Sequence, residues 1–170
     1  MNVQPDRPAG HARTGPDDSP GRAAVWADLV LAAHLLDTAL ERQAQRVAGI
    51  SHGHIKLLVL LRGAEDHTLG LKRLADVLRF SPSRISHALA ALERQGLVTR
   101  RPAAGGRRAW EATLTDDGRR TVDRVLRAQR REIRDPLLDG LGDLGTLALG
   151  DLGARLVAFL DAGPGDVPDA

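Results

Sequence analysis

Between Ser81 and Gly96 the chain reads SPSRISHALAALERQG, and its polar residues are of the kinds that touch nucleic acid. Ser81, Ser83, Arg84, Ser86, His87 and Arg94 offer short hydroxyls or cationic donors. Short hydroxyls permit close approach to a groove, while Arg and His donate to base edges or phosphates. A second cationic pair, Arg107 and Arg108, follows the loop Pro102-Ala103-Ala104-Gly105-Gly106. Two adjacent arginines beside a Gly-Gly tip suit phosphate or minor-groove contact. Taken alone, each stretch also fits a plainer description: an amphipathic surface helix and a surface hairpin.

These residues need a scaffold, and the spacing of apolar residues predicts one. Ser81 caps a helix with Pro82 in its first turn, and Gly96 ends it in a left-handed conformation. Ile85, Leu89 and Leu92 fall at i, i+4 and i+7 and form its buried face. Glu93 is left as the one carboxylate of the outward set. A short helix over Leu71–Leu78 precedes it across the turn RFSPS, which makes a helix-turn-helix pattern. Leu97–Arg101 reads as a strand, with Leu97 and Thr99 on one side and Val98 and Arg100 on the other. Pro102–Gly106 reads as a loop, and Ala109–Leu114 as the return strand of a wing.

Flanking these are longer helices. Residues 21–48 carry Val25, Leu29, Leu36, Leu40 and Val47 at helical spacing. Trp26, Val30, Leu31 and Leu35 widen the apolar band to that of a helix buried against two partners, one of them a second subunit. Ser51 caps a helix to about Arg62 that contains Ile55, Leu58, Val59 and Leu61, and GAEDHTLG ends it. Thr115 caps another, with Asp116 and Asp117 in its first turn. Val122, Val125, Leu126 and Ile133 line one face and seven arginines cover much of the rest. Asp135-Pro136 marks a bend or end. A last helix spans about Asp143–Asp161, and its Gly145, Gly150 and Gly153 make it dependent on packing within a dimer. The expected organisation is a disordered tail (1–20), a dimerisation helix (21–48), a DNA-binding domain (49–118), C-terminal dimerisation helices (119–162) and a frayed end (163–170).

Charge supports this division. Leu71–Arg108 holds nine Lys or Arg against two Asp or Glu, a net +7, whereas the residues before it sum to −1 and those after it to −4. Such concentration is the electrostatic footprint of a nucleic-acid-binding element. The 22 arginines against two lysines reflect a composition also rich in Ala, Gly and Pro, so position carries more information than residue type. Aromatics are 2% of the chain, so the core must be built from Leu, Ala, Val and Ile, which favours helices. With no cysteine, disulfides and thiolate metal sites are excluded. No unbroken run of about 18 apolar residues and no signal-peptide core are present, which implies a soluble cytoplasmic protein. His52-Gly53-His54 lacks a helical His/Glu partner for metal, so neither a metal nor a cofactor is expected, and the first turn of the helix then leaves His54 exposed. No Gly-x-Ser-x-Gly, phosphate-cradling Gly loop or ordered Ser/His/Asp set is present, so the chain is not expected to be an enzyme.

From Leu74 to Gly118 the run LADVLRFSPSRISHALAALERQGLVTRR, a loop and RRAWEATLTDDG resembles the MarR family of winged helix-turn-helix transcription regulators. The matching positions are Leu74-Ala75, Ser81, Ser83, Ser86, Leu92-Glu93, Gly96-Leu97-Val98, Arg100, Arg108, Leu114-Thr115 and Gly118, and the resemblance extends over Trp26–Leu160. The chain departs from the pattern at Gly106, where family members usually carry an Asp that braces the arginine at the position of Arg108. The resemblance implies a mainly α fold with a small two- to three-stranded β wing and terminal helices forming a dimerisation domain. It implies a homodimer that places two recognition helices in successive major grooves of a pseudo-palindromic operator. It further implies repression relieved by a small aromatic or anionic effector. Trp26, His34, Arg42, Arg46, His52 and His54 are the candidates for that pocket, although a lone Trp on an apolar helix face is more often core packing than a ligand contact. Asp76 and Arg79 form either an internal switch pair or a surface ion pair. An effector-independent or architectural DNA-binding protein remains the alternative, with a metal-responsive regulator behind it.

Overall fold

The computed structural model describes residues 20–103 and 109–162. The expected tails, up to residue 19 and from 163, lie outside the described residues, as do Gly106, Arg107 and Arg108 at the wing tip. In order, the elements are α1 (Pro20–Ala48), α2 (His52–Gly63), β1 (Thr68–Gly70), α3 (Leu71–Leu78), α4 (Pro82–Arg94), β2 (Val98–Pro102), β3 (Trp110–Leu114), α5 (Asp116–Gln129) and α6 (Asp135–Ala162). A 3-10 turn, Glu65–His67, leads into β1, and a π-turn, Arg130–Arg134, joins α5 to α6. The chain is thus mainly helical with a small antiparallel sheet, the expected winged helix-turn-helix class. It divides into two compact units between Leu36 and Asp37, and α1 crosses the divide.

In the first unit α1 keeps its apolar band uncovered: Val25, Trp26, Leu29, Val30, Leu31, Leu35 and Leu36 are all exposed. Residues 21–48 contain an 18-residue window of mean hydropathy 1.5, so by length and composition this helix is able to cross a membrane. It reaches that mean hydropathy although Asp28, His34 and Asp37 interrupt every apolar run, as the sequence showed.

The second unit holds the core. Ile55, Leu57, Leu58 and Leu61 of α2 pack with Leu74 of α3, Ile85, Leu89 and Leu92 of α4, Val98 and Val122 and Val125 of α5. Within α2 it is Leu57 that is buried, whereas Val59 is 37% exposed, since the buried stripe also takes Ile55, Leu58 and Leu61 and leaves Val59 on the other face. Gln43 is buried and donates from Nε2 to the carbonyl of Val125 at 3.2 Å, tying the end of α1 to α5. A buried amide without such a partner costs free energy, so this bond also sets the register between the two helices.

The sheet runs in the order β1-β3-β2. β1 is too short to show an alternation of its own and is recruited by β3, with Thr68 opposite Thr113 and their hydroxyls 2.8 Å apart. Leu97 and Val98 are both buried, so Leu97 does not share a side with exposed Thr99; it precedes the strand as the chain leaves α4. Pro102 pairs with Trp110 instead of belonging to the loop, which its place on an edge strand permits. Gly118 sits where α5 crosses the start of the wing. A Cβ there would lie 2.1 Å from the Leu97 carbonyl oxygen and 2.7 Å from Leu114 Cδ1.

Asp135-Pro136 does not end a helix. Asp135 stays helical (φ −64°, ψ −47°), and its N–H reaches back to the Arg130 carbonyl. The π-turn widens the backbone just before the proline, which accommodates a ring that would crowd a regular α-turn. The break comes instead at Gly142, with φ 66° and ψ 179°, so the last straight stretch begins near Asp143 as expected. No α6 residue is buried; Leu144, Leu147, Leu152, Phe159 and Leu160 all stand exposed, Leu144 by 84%.

Candidate nucleic-acid interface

α3 and α4 meet across a tight turn whose pivot is Arg79, a non-glycine residue in the left-handed region (φ 52°). Its N–H closes the end of α3 on the Asp76 and Ala75 carbonyls, and its guanidinium bonds Asp161 of α6 at 2.5 Å. The expected Asp76–Arg79 side-chain pair is therefore replaced by a contact with the C-terminal helix. α4 then starts as its sequence dictates. Ser81 Oγ accepts from the Arg84 N–H at 3.3 Å, Pro82 occupies the first turn, and Gly96 takes φ 72° just beyond the end.

With Ile85, Leu89 and Leu92 fully buried, Ser81, Ser83, Arg84, Ser86, His87 and Arg94 are all exposed on the remaining surface of one helix. Their surroundings differ. Arg84 is stacked on Phe80, its guanidinium carbon 3.7 Å from the ring centroid, so the ring holds a planar donor group that would otherwise sample many rotamers. Arg84 and His87 border a cleft of about 390 Å³ shared with Ser51, His54 and Phe80. Ser86 borders a separate recess with Leu71, Arg100 and Trp110, at the base of the wing. Arg94 folds back, its Nε donating to the Ala90 carbonyl at 3.4 Å.

Glu93 is not part of the free outward set. One carboxylate oxygen accepts from the Arg100 backbone N–H at 3.1 Å, the other from its guanidinium at 2.8 and 2.5 Å. The guanidinium hydrogen bond holds the Glu93 carboxyl below the usual carboxylate range. This three-point brace locks the end of α4 to β2 and so orients the wing relative to the helix. Arg101, by contrast, reaches across the ladder to Glu111 at 3.4 Å. The seven-residue separation of Glu93 and Arg100 in LERQGLVTR was the available sequence signal for the brace. Nothing in the sequence pattern marked Phe80.

The six residues considered for an effector pocket fall in different surroundings. Trp26 (67% exposed) and His34 belong to the first unit. In the second, Arg42 is exposed and Arg46 is ion-paired with Glu132. His52 lines an apolar groove of about 290 Å³ with Lys56, Val59, Leu60, Leu78 and Leu126. Burial pushes its imidazole below the usual histidine range, with help from Lys56. His54 is half-buried, correcting the exposed position expected for it: the Ser51 cap, whose hydroxyl accepts the His54 N–H at 3.2 Å, turns it into the cleft beside α4. Burial lowers its pKa too, opposed by Glu41. Among the described residues no three His, Cys, Asp or Glu side chains gather as metal ligands.

A capped, basic helix following a tight turn, backed by a braced β wing, defines a winged helix-turn-helix DNA-binding protein. The MarR family profile matches residues 48–109. The HTH-type transcriptional repressor YetL of Bacillus subtilis is 32% identical over 116 residues, covering 66% of this chain and 70% of YetL. Among solved structures, Sco3205, a MarR family transcriptional regulator from Streptomyces coelicolor in complex with DNA, is similar with a TM-score of 0.78 and 33% identity. That match covers 88% of this chain and 97% of Sco3205. Sco5413, a second MarR family regulator from the same organism, is similar with a TM-score of 0.68 and 25% identity over 89% of this chain and 99% of its own. The chain belongs to the MarR family and is a transcriptional regulator.

Proposed function

We propose that this chain is a homodimeric, cytoplasmic, non-enzymatic repressor that binds a pseudo-palindromic operator and leaves it when a small aromatic or anionic effector binds. The single observation that carries the DNA reading is the outer surface of α4, where Ser83, Arg84, Ser86 and His87 stand exposed over a fully buried Ile85-Leu89-Leu92 face. In this reading Arg84 and His87 donate to base edges and to the phosphate beside them, Ser81, Ser83, Ser86 and Arg94 position the helix on phosphates, and Arg107 and Arg108 follow the flanking groove. Residues 49–118 serve as the DNA-binding domain.

Dimerisation is supported by the uncovered apolar residues of α1 and α6, which exceed what a monomeric surface ordinarily exposes. A second copy of the same chain is the occupant, covering such helices through an isologous interface. It also gives the apolar α1 a soluble partner, with Asp28, His34 and Asp37 left outside a lipid environment. Effector release is supported by the groove beside His52 and Lys56, an apolar slot with the Lys56 cation at its edge that suits a small aromatic acid.

Fluorescence anisotropy with duplexes that the full chain selects from a random library tests the whole reading. Selective binding that falls steeply with salt, and release by phenolic or organic acids, is the expected result. Equal affinity for scrambled duplexes would favour an architectural role, and selective binding indifferent to every acid would remove the effector.

A further inference from the structure

The cleft between the first turn of α2 and the recognition helix α4 is lined by His54 and Ser51 on one wall and by Arg84, His87 and Phe80 on the other. Four of these carry hydrogen-bond donors, and no carboxylate is among the lining residues. Arg84 is permanently cationic and is held at the mouth by its stack on Phe80. The Ser51 hydroxyl accepts from the His54 N–H and so keeps its own proton free to donate inward. His87 is exposed on the same helical surface proposed to face DNA, while His54 is half-buried one element behind it. Two imidazoles, a guanidinium and a hydroxyl lining one opening of about 390 Å³ match an oxyanion, with Glu41 of α1 the acid that faces His54.

We propose that this cleft is an oxyanion site, formed by His54, Arg84 and His87, that takes one phosphate of the bound DNA or a free phosphate competing for the same place. The proposal rests on the DNA-binding reading of α4 and extends it to α2, an element outside the helix-turn-helix. It assigns His54 a binding role that its family-style reading as an effector ligand did not. The phosphate would be gripped from both sides, by α4 in front and by the α2 turn behind, which fixes how deeply the helix sits in the groove.

Proton linkage follows from the occupants of the cleft. A neutral imidazole donates once at most, whereas an imidazolium donates from both nitrogens and adds charge. His54 is faced by Glu41 of α1, which favours its protonation, and by Arg84 and His87 of α4, which lie on the same opening. Burial keeps the free imidazole neutral near neutral pH, so phosphate binding draws in a proton and affinity falls as the pH rises.

The test uses the full chain, a duplex selected from a random library, and the variants His54→Gln and His87→Gln. Each variant is expected to bind about tenfold more weakly than wild type at about pH 6, the loss of one charge-assisted hydrogen bond. Each should also lower the salt slope by about one, and for His54→Gln the gap to wild type should close by about pH 8. Inorganic phosphate at constant ionic strength should shift the imidazole resonances of His54 and His87 in the free protein. If it also weakens DNA binding, a DNA phosphate and the free anion share the site; if it moves the resonances and leaves DNA binding unchanged, the site serves the free anion alone. Both variants keeping wild-type affinity, pH profile and salt slope, with resonances unmoved by phosphate, would overturn it. Failure of the wild-type chain to bind any duplex would instead overturn the DNA reading and leave the phosphate titration to judge the cleft.

Discussion

Glu93 and Arg100, seven residues apart, are joined by three hydrogen bonds that tie the end of the recognition helix to the first strand of the wing. The carboxylate sits below its usual range because it accepts from Arg100, so the bond is complete above the ordinary glutamate pKa. It is lost as the pH falls through the depressed value in the folded chain. Glu93→Gln keeps the shape and removes the charge. The protection factor of the Arg100 amide, its exchange rate corrected for the intrinsic pH dependence, should fall on acidification in wild type and be low at every pH in the variant. A protection factor that does not change with pH in wild type would show that the carboxylate does not hold the strand.

Gly118 is pressed against the start of the wing, with no room for a Cβ beside the Leu97 carbonyl and Leu114. Gly118→Ala should therefore destabilise the fold by about 3 kcal/mol, the upper range for overpacking, since a backbone oxygen cannot rotate away. Urea denaturation measures this directly. A variant as stable as wild type would mean that α5 shifts freely over the sheet.

The Phe80 ring orients the Arg84 guanidinium. Phe80→Leu retains an apolar side chain while removing the π face, and is expected to weaken selective DNA binding about threefold, in line with an exposed cation–π contact of roughly 0.5–1 kcal/mol. Affinity for scrambled duplex should fall by less, because only the phosphate contact of Arg84 is shared by every sequence. Equal losses on both would point to general damage to the turn.

Leu156 lies on the uncovered side of α6, 39% exposed. Leu156→Asp should leave the winged domain folded yet shift sedimentation from dimer to monomer, with operator affinity falling by at least a hundredfold because two half-sites are no longer linked. A dimer of normal affinity would place the interface elsewhere.

His52 and His54 are both held below the ordinary histidine range by burial. The unfolded chain therefore binds their protons first as the pH drops, and the folded state resists. Their contribution to stability is complete above about pH 6.5 and is lost as the pH falls through the depressed values in the folded chain. His54→Gln should flatten the fall in melting temperature between about pH 7 and pH 5. The same slope in the variant would locate the acid sensitivity in carboxylates such as Glu41, whose pKa is lowered by Gln45 and the His52 N–H.

Local chemistry alone determined much of this protein. The Ser81, Ser51 and Thr115 caps, the Leu71–Leu78 and Pro82–Arg94 helices, the buried Ile85-Leu89-Leu92 stripe and the left-handed Gly96 all follow from short-range rules, because a cap or a helical stripe is set by residues within a few positions. Tertiary structure decided the rest. β1 is a strand only because β3 pairs with it, and Pro136 continues a helix because the preceding π-turn makes room for its ring. Arg79 found Asp161, 82 residues away, rather than Asp76 three residues before it, and His54 was turned toward Arg84 and His87. Partners so distant in sequence have no common period to reveal them; only the tertiary fold sets α2 beside α4 and the end of α6 beside the turn after α3.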